Sequence, residues 1–317
     1  MDYKQYAPVI IPTLNRYIHF ERCLESLENC VGANLTDVYI GLDFPPSEKY
    51  VDGWKKIDNY LKEKENSNRF HQLVVFRRDH NCGMGKPGSN SELLRIFVKQ
   101  KYSCFIFSED DNEFAPNFLE FMNKGFELYK EDDRITYICG YTSPMFSNLC
   151  EESSFLNFGV SAYGLGEWTY KNWAPQYTNE KLSSDLKQSF VRLVKLYCSC
   201  PGLISMCIGM LNRNAQYGDI RYSLYNLLHD KFVLQPTISL VRNWGCDGSG
   251  LHSGVNLERA QEQIQNGKTF ELTRLQYSSP KGVKKAEFYN HMPKSKIRFF
   301  AYFLLGFVRL LKFYLKK

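Results

Sequence analysis

Residues 104–122, CFIFSEDDNEFAPNFLEFM, hold the reading that decides the fold. Cys104–Ser108 is a short, largely apolar run, it stops on Glu109-Asp110-Asp111, and a helix is predicted beyond Pro116 as far as about Lys130. That order is a strand, a polar junction and a helix. Upstream the same unit recurs. Pro8–Ile11, Val38–Leu42 and Leu73–Phe76 read as strands. Phe20, Cys23, Leu24, Leu27 and Val31 recur at helical spacing between the first two, and Leu93, Leu94, Phe97 and Val98 do so before Cys104. A further helix spans Val51–Lys64, with Trp54, Ile57 and Leu61 inward. Strands alternating with crossover helices predict an α/β fold, a doubly wound and mostly parallel sheet with helices on both faces. Downstream, Ile135–Cys139 reads as one more strand, after which the pattern turns irregular and aromatic. Residues 157–173, NFGVSAYGLGEWTYKNW, read either as loops and short strands lining a pocket or as a core β-segment.

Composition bounds the class. With 317 residues, 44% hydrophobic, 15% aromatic and 23% charged, the chain is a folded protein and not a disordered one. Its net charge of +6 is concentrated at one end: Lys294, Lys296, Arg298, Arg309, Lys312, Lys316 and Lys317 lie in the last 24 residues without one acid among them. The rest of the chain is near neutrality, so no nucleic-acid partner is indicated. Ten cysteines show neither CxxC spacing nor paired Cys/His clusters, which disfavours a zinc site and suggests reduced, buried thiols. The first residues lack the apolar core and cleavage site of a secretory signal, and a cytoplasmic location is expected.

Residues 297–315, IRFFAYFLLGFVRLLKFYL, are apolar apart from Arg298, Arg309 and Lys312, and the uninterrupted run Phe299–Val308 is half of what a bilayer requires. Residues 294–317 are therefore expected to form a basic amphipathic helix lying on an anionic membrane surface, at the inner face of the cell membrane. A helix docked on the body or in a homodimer is the competing reading.

Open α/β sheets bind ligands at the carboxyl ends of their strands. Four segments occupy such ends: 12–16 (PTLNR), 43–45 (DFP), 80–86 (HNCGMGK) and 109–111 (EDD). The run Glu109, Asp110, Asp111 and Glu113 concentrates carboxylates whose repulsion a cation would relieve, and hard oxygen ligands suit Mg²⁺ or Mn²⁺ on a diphosphate. An acidic helix N-terminus is the alternative. The loop 81–90, with Gly85, Lys86 and Asn90, offers backbone amides beside a cation to a phosphate or ribose, although such a loop is also an ordinary turn. His252, in the glycine-rich stretch 248–254, is a candidate to reach a metal or phosphate oxygen, the alternative being a surface loop histidine.

Five ordered blocks carry a resemblance: APVIIPTLNR (7–16), GLDFP (41–45), FSEDDNEFAPNFLEFM (107–122), YGLGEW (163–168) and QPTISLVRNWGCDGSGLHSG (235–254). Together they resemble GT-A type glycosyltransferases, close to the N-acetylglucosaminyltransferase I family and its family 2-like relatives. The resemblance implies a GT-A domain over 1–290, divided into a nucleotide-binding half (1–111) and an acceptor-binding half (112–290). It implies that Asp111 ligates Mn²⁺ or Mg²⁺, that Glu109 and Asp110 contact nucleotide and sugar, that Asp43 bonds base or ribose, and that Pro12, Thr13 and Arg16 frame the nucleotide. It places the catalytic base at Asp219, with Glu167 as competitor. The expected activity is metal-dependent, inverting transfer from a nucleotide-diphosphate sugar, a UDP-sugar, to a glycan or lipid-linked glycan in surface polysaccharide synthesis. Two other classes compete. A nucleotidyltransferase would share the sheet but begin with a glycine-rich basic loop, which PTLNR is not. A non-catalytic membrane-associated glycan-binding protein would have no need of the acidic triplet.

Overall fold

The computed structural model describes residues 5–147, 149, 152–171, 177–249 and 271–316. Among the described residues eight strands form the main sheet: β1 (Val9–Thr13), β2 (Asp37–Leu42), β3 (Gln72–Arg77), β4 (Cys104–Phe107), β6 (Ile135–Cys139), β7 (Ser154–Asn157), β8 (Leu165–Trp168) and β9 (Phe232–Pro236). They lie in the order β3-β2-β1-β4-β8-β6-β9-β7. Pairing is parallel from β3 to β4 and between β6 and β9; only β7 and β8 run antiparallel to their neighbours. A two-stranded ribbon joins β5 (Asn112–Phe114) to β10 (Val241–Asn243).

The period-2 alternation of the central strands explains why helices cover both faces. On β1, Val9 and Ile11 enter the core shared with α1 (Tyr17–Glu28), α2 (Val51–Asn66) and α4 (Phe118–Tyr129), whereas Ile10 points to the opposite face. There it meets Tyr39, Phe105 and the Leu94 and Val98 of α3 (Asn90–Lys99). The chain moves outward from β1 through β2 to β3 and then returns to the other side of β1 as β4, and this reversal puts α3 on the second face. Strand order thus switches direction between β1 and β4, the place where an open α/β sheet opens a crevice.

The irregular C-terminal region supplies a second core. Helices α5 (Asn179–Lys187), α6 (Phe190–Ser199), α7 (Pro201–Asn212) and α8 (Gly218–Leu228) bury Leu182, Leu193, Tyr197, Ile204, Ile208 and Leu224 together. After α9 (Lys281–Tyr289), the last helix α10 (Lys296–Leu315) contributes Leu310 and Phe313 to that same core. The terminal helix is therefore docked on the body along one face, which is the competing reading given above. Gly306 makes the close approach possible: a Cβ there would stand 2.3 Å from Tyr197 Oη. Tyr197 Oη donates to Phe303 O at 2.6 Å, and Lys187 Nζ to Lys316 O at 2.6 Å. The opposite face is bare, with Ile297 83%, Leu304 63% and Leu315 76% exposed. No helix among the described residues is long and apolar enough to cross a membrane.

Segment 157–173 resolves in favour of the core reading over part of its length, because β8 lies in the middle of the sheet between β4 and β6.

Candidate functional site

The candidate site lies where pairing between β1 and β4 ends. The last paired residues are Ile10 and Phe107, followed by one bond from Ser108 N to Ile10 O at 3.0 Å. Pro12 sits beyond that point, still in register with Gly41 of β2, so its missing N–H removes no bond to β4. Side chains bridge the gap instead. Thr13 Oγ1 donates to Asp110 Oδ2 at 2.8 Å, and Arg16 Nη2 donates to Asp110 Oδ1. Arg16 Nη1 lies 2.7 Å from Asp111 Oδ2.

The β5–β10 ribbon brings the 241–249 segment onto the same acids. Its register sets Asn243 opposite Asn112, and Asn243 Nδ2 then donates to Asp111 Oδ1 at 2.6 Å. Trp244 N donates to Asp111 O at 2.8 Å. Trp244 Nε1 donates to Glu113 Oε2 at 2.7 Å, and Arg22 lies 4.2 Å over the Trp244 ring. Gly245 packs against the carboxylate of Asp111. All four carboxylate oxygens of Asp110 and Asp111 consequently have protein partners, two of them on Arg16.

The electrostatics follow from this crowding. Burial, then Asp111 and Asp110, push Glu109 up to about 8, against the opposing pull of Arg16. Asp219 also raises it, as the smallest of these contributions. Burial pushes Asp110 up while Arg16 pulls it down. Asp219 itself is exposed to solvent, and its Oδ1 accepts from Ile220 N at 2.9 Å.

Asp43 lies beside the cluster at the end of β2, its N donating to Thr13 O at 2.9 Å. Asp43 is spent on the loop beside it: Oδ1 accepts from Cys82 N at 2.8 Å and Oδ2 from Gly83 N at 3.1 Å and Asn81 Nδ2 at 3.3 Å. Those bonds shape the turn that carries Gly85 and Lys86, both exposed. Asn90 is buried as a bridge, donating to Gly41 O at 2.6 Å and accepting from Arg78 at 3.0 Å, so it ties β2 to α3 and not to the crevice. Glu167 lies within β8 opposite Phe105, ion-paired to Arg95 beside Tyr137 and Tyr222. A carboxylate so engaged is held by its partner and stands apart from the acidic cluster. His252 falls outside the described residues. Asn243, Trp244 and Arg95 were not singled out from the sequence; an Asn-Trp-Gly run reads locally as a turn, and nothing in it announces a bond to Asp111.

No protein-family profile matches the chain, and no curated protein matches it. Among solved structures it is similar to S. aureus TarS 1-349, at 12% identity and a TM-score of 0.40 over 75% of this chain and 60% of that one. A longer TarS structure gives 14% identity and a TM-score of 0.34 over 52% of this chain and 28% of its own. The mannosyltransferase PcManGT from Pyrobaculum calidifontis, in complex with GDP-Man and Mn²⁺, gives 9% identity and a TM-score of 0.41 over 72% and 71%. The chain thus spans less than two thirds of the TarS chains it matches. At this level of similarity neither ligand nor activity transfers to this chain.

The donor set decides how a divalent ion would fare. Among the described residues no group of three His, Cys, Asp or Glu side chains is arranged to hold a metal. With Arg16 and Asn243 on Asp111 and with Arg16 and Thr13 on Asp110, every oxygen of the pair is already engaged by a protein donor, and a cation lies against both carboxylates. The residues as arranged do not fit a divalent cation, and the charge relief expected of one is supplied by Arg16.

Proposed function

We propose that this chain is a glycosyltransferase that moves a sugar from a nucleotide-diphosphate donor, a UDP-sugar, to a glycan or lipid-linked glycan acceptor, with inversion, in surface polysaccharide synthesis. The observation that carries this reading is the position of the Thr13–Arg16–Asp110–Asp111 cluster at the carboxyl ends of β1 and β4, the switch point of the sheet. Asp219 favours a transferase over a binding module. It is exposed, and it lies in the first turn of α8. A carboxylate so placed can take the proton of an acceptor hydroxyl while that oxygen attacks the anomeric carbon and the diphosphate departs. Glu167, locked to Arg95, is the weaker candidate. The PTLNR loop after β1 is a poor match for a nucleotidyltransferase.

The same proposal places the acceptor at a lipid surface. By the helical period Ile297, Phe300, Leu304, Val308, Leu311 and Leu315 share one stripe of α10, with Arg298, Arg309, Lys312 and Lys316 along its edge. That is the face turned away from the body.

Two measurements test the enzymatic reading. UDP-sugars are expected to raise the melting temperature, by about 2.7 kcal/mol of added stability at a hundred times Kd, and a panel of nucleotide sugars that leaves it unchanged returns the chain to the binding class. Asp219→Asn is expected to lower kcat by two to four orders of magnitude, on the order of general-base catalysis, with little change in donor Kd. Near-normal turnover moves the base to Glu167.

A further inference from the structure

We propose that the cavity between the start of α1 and the 244–249 segment is a phosphate-binding pocket, with Arg22 as the residue that meets the anion. The cavity has a volume of about 540 Å³, and Arg16, Ile18, His19, Arg22, Trp244 and Asp247 are among its walls. Two of the basic side chains there are already engaged. Arg16 is held by Asp110 and Asp111, and His19 Nε2 lies 3.0 Å from Asp247 Oδ2. Arg22 is different. Its guanidinium lies 4.2 Å over the Trp244 ring and, among the described residues, makes no hydrogen bond and no ion pair. Its Nη1 is enclosed without a partner, as is His19 Nδ1. Glu113, which accepts the indole N–H, pairs with Arg242 instead, at 3.8 Å.

A guanidinium drawn partly out of water without an anion is costly, because its N–H donors lose hydration and gain no acceptor. An anion from outside the chain completes it, and the planar fork matches phosphate oxygens two at a time. The start of α1 favours the same charge. No acid lies in its first turn and no side chain caps it, so the positive end of the helix dipole borders the cavity without a competing carboxylate from the helix. Asp247, the acid on the opposite wall, is already satisfied. Its Oδ1 accepts from Ser249 N at 2.9 Å and Ser249 Oγ at 2.6 Å, and its Oδ2 faces His19. The cavity is of small-molecule size and larger than one phosphate fills, so the phosphate is a group on a larger ligand, with Tyr17, Ile18 and Trp244 as walls for the organic part. Arg16 lines this cavity and also holds the Asp110–Asp111 pair, so the pocket adjoins the candidate site. The pocket as an anion site stands apart from the glycosyltransferase reading; assigning its phosphate to a substrate rests on that reading. A nucleotide-diphosphate donor and a phosphate-bearing acceptor both carry the group.

The test is calorimetric titration of the full chain with inorganic pyrophosphate, in buffer free of metal and phosphate. The wild type is expected to bind it, and Arg22→Met to bind it at least about tenfold more weakly, through loss of a charge-assisted pair. Arg22→Lys keeps the charge without the fork and is expected to fall between the two. A wild type that takes up no pyrophosphate overturns the proposal, as does equal affinity in the wild type and Arg22→Met. Without ligand, Arg22→Met is expected to melt close to the wild type, because it gives up no hydrogen bond within the protein. A large fall in that melting temperature makes Arg22 a structural prop and overturns its assignment as an anion ligand. A second titration in saturating UDP separates the sources. Loss of pyrophosphate binding gives the pocket to the donor's diphosphate, and undiminished binding gives it to a phosphate on the acceptor. If UDP itself does not bind, the nucleotide-sugar reading fails and the Arg22 comparison still stands.

Discussion

Gly245 is the residue at which the site has least room. A Cβ there would lie 2.2 Å from Asp111 Oδ2 and 3.2 Å from Asn243 Oδ1, so an alanine has to push the carboxylate that Arg16 and Asn243 hold in place. Gly245→Ala is expected to cost about 1–3 kcal/mol of stability, the usual range for overpacking, and to abolish the thermal shift given by a UDP-sugar. A variant that keeps both its melting temperature and its ligand response shows that Asp111 is not held as described. The same carboxylate illustrates how far single residues were legible. That the acids 109–111 stand at a strand end follows from the apolar run before them, and that Arg16 follows the first strand is equally plain. What each carboxylate bonds to is a tertiary fact. Asp43, Asn90 and Glu167 belong to residue types that suit a site, yet one is spent on loop amides, one on bridging β2 to α3 and one on Arg95. Local sequence contains no term for a partner many residues away.

Elements were legible where a period runs long enough to declare itself. Apart from the three-residue β5, which no apolar run announces, the strands and helices through β6 follow from alternating apolar runs, and the bounds differ by only a few residues. Beyond Cys139 the signal fails for physical reasons. β7 and β8 are four residues each and are inserted antiparallel, so no crossover helix announces them. The helices α5 to α8 bury a core shared among themselves, so each carries only a part of its apolar face. Lys171 shows how such a region is fixed. Its Nζ donates to Tyr129 O at 2.6 Å, Asp132 O at 2.8 Å and Ile135 O at 3.3 Å, clamping the end of α4 to the start of β6, and it lies 3.8 Å over the Trp168 ring. Burial depresses its pKa from 10.5 to about 8, although the acids 131–133 pull the other way. Between those values the unfolded chain binds the extra proton, so this residue adds stability as pH rises through about 8 towards 10.5 and withdraws it as pH falls back. Lys171→Met is expected to lose about 2–3 kcal/mol through three carbonyls left without a donor and to lack that alkaline increment. Urea melts of both chains at neutral and alkaline pH check it; parallel curves would mean that Lys171 titrates as a solvated amine.

At the scale of the whole molecule, the last helix has two faces with different tasks, and they can be separated by substitution. Leu310 is fully buried in the second core, where the last helix packs on α7, so Leu310→Ala removes packing there and is expected to cost about 2–5 kcal/mol. Deleting the helix outright would strip that core in the same way, and loss of lipid binding in such a truncation would say nothing about membranes. Phe300 and Leu304, 65% and 63% exposed on the opposite stripe, touch the body little, and replacing both with Ser is expected to change stability by no more than about 0.5 kcal/mol. If the apolar stripe and its edge of Arg298, Arg309, Lys312 and Lys316 rest on an anionic bilayer, the outward pair controls binding and the inward residue does not. Co-sedimentation with phosphatidylserine-containing vesicles is then expected to fall steeply for Phe300→Ser/Leu304→Ser, to weaken with salt for the wild type, and to persist in folded Leu310→Ala. Wild-type chain that stays in the supernatant, or outward variants that sediment as before, would assign the exposed stripe to a contact other than lipid.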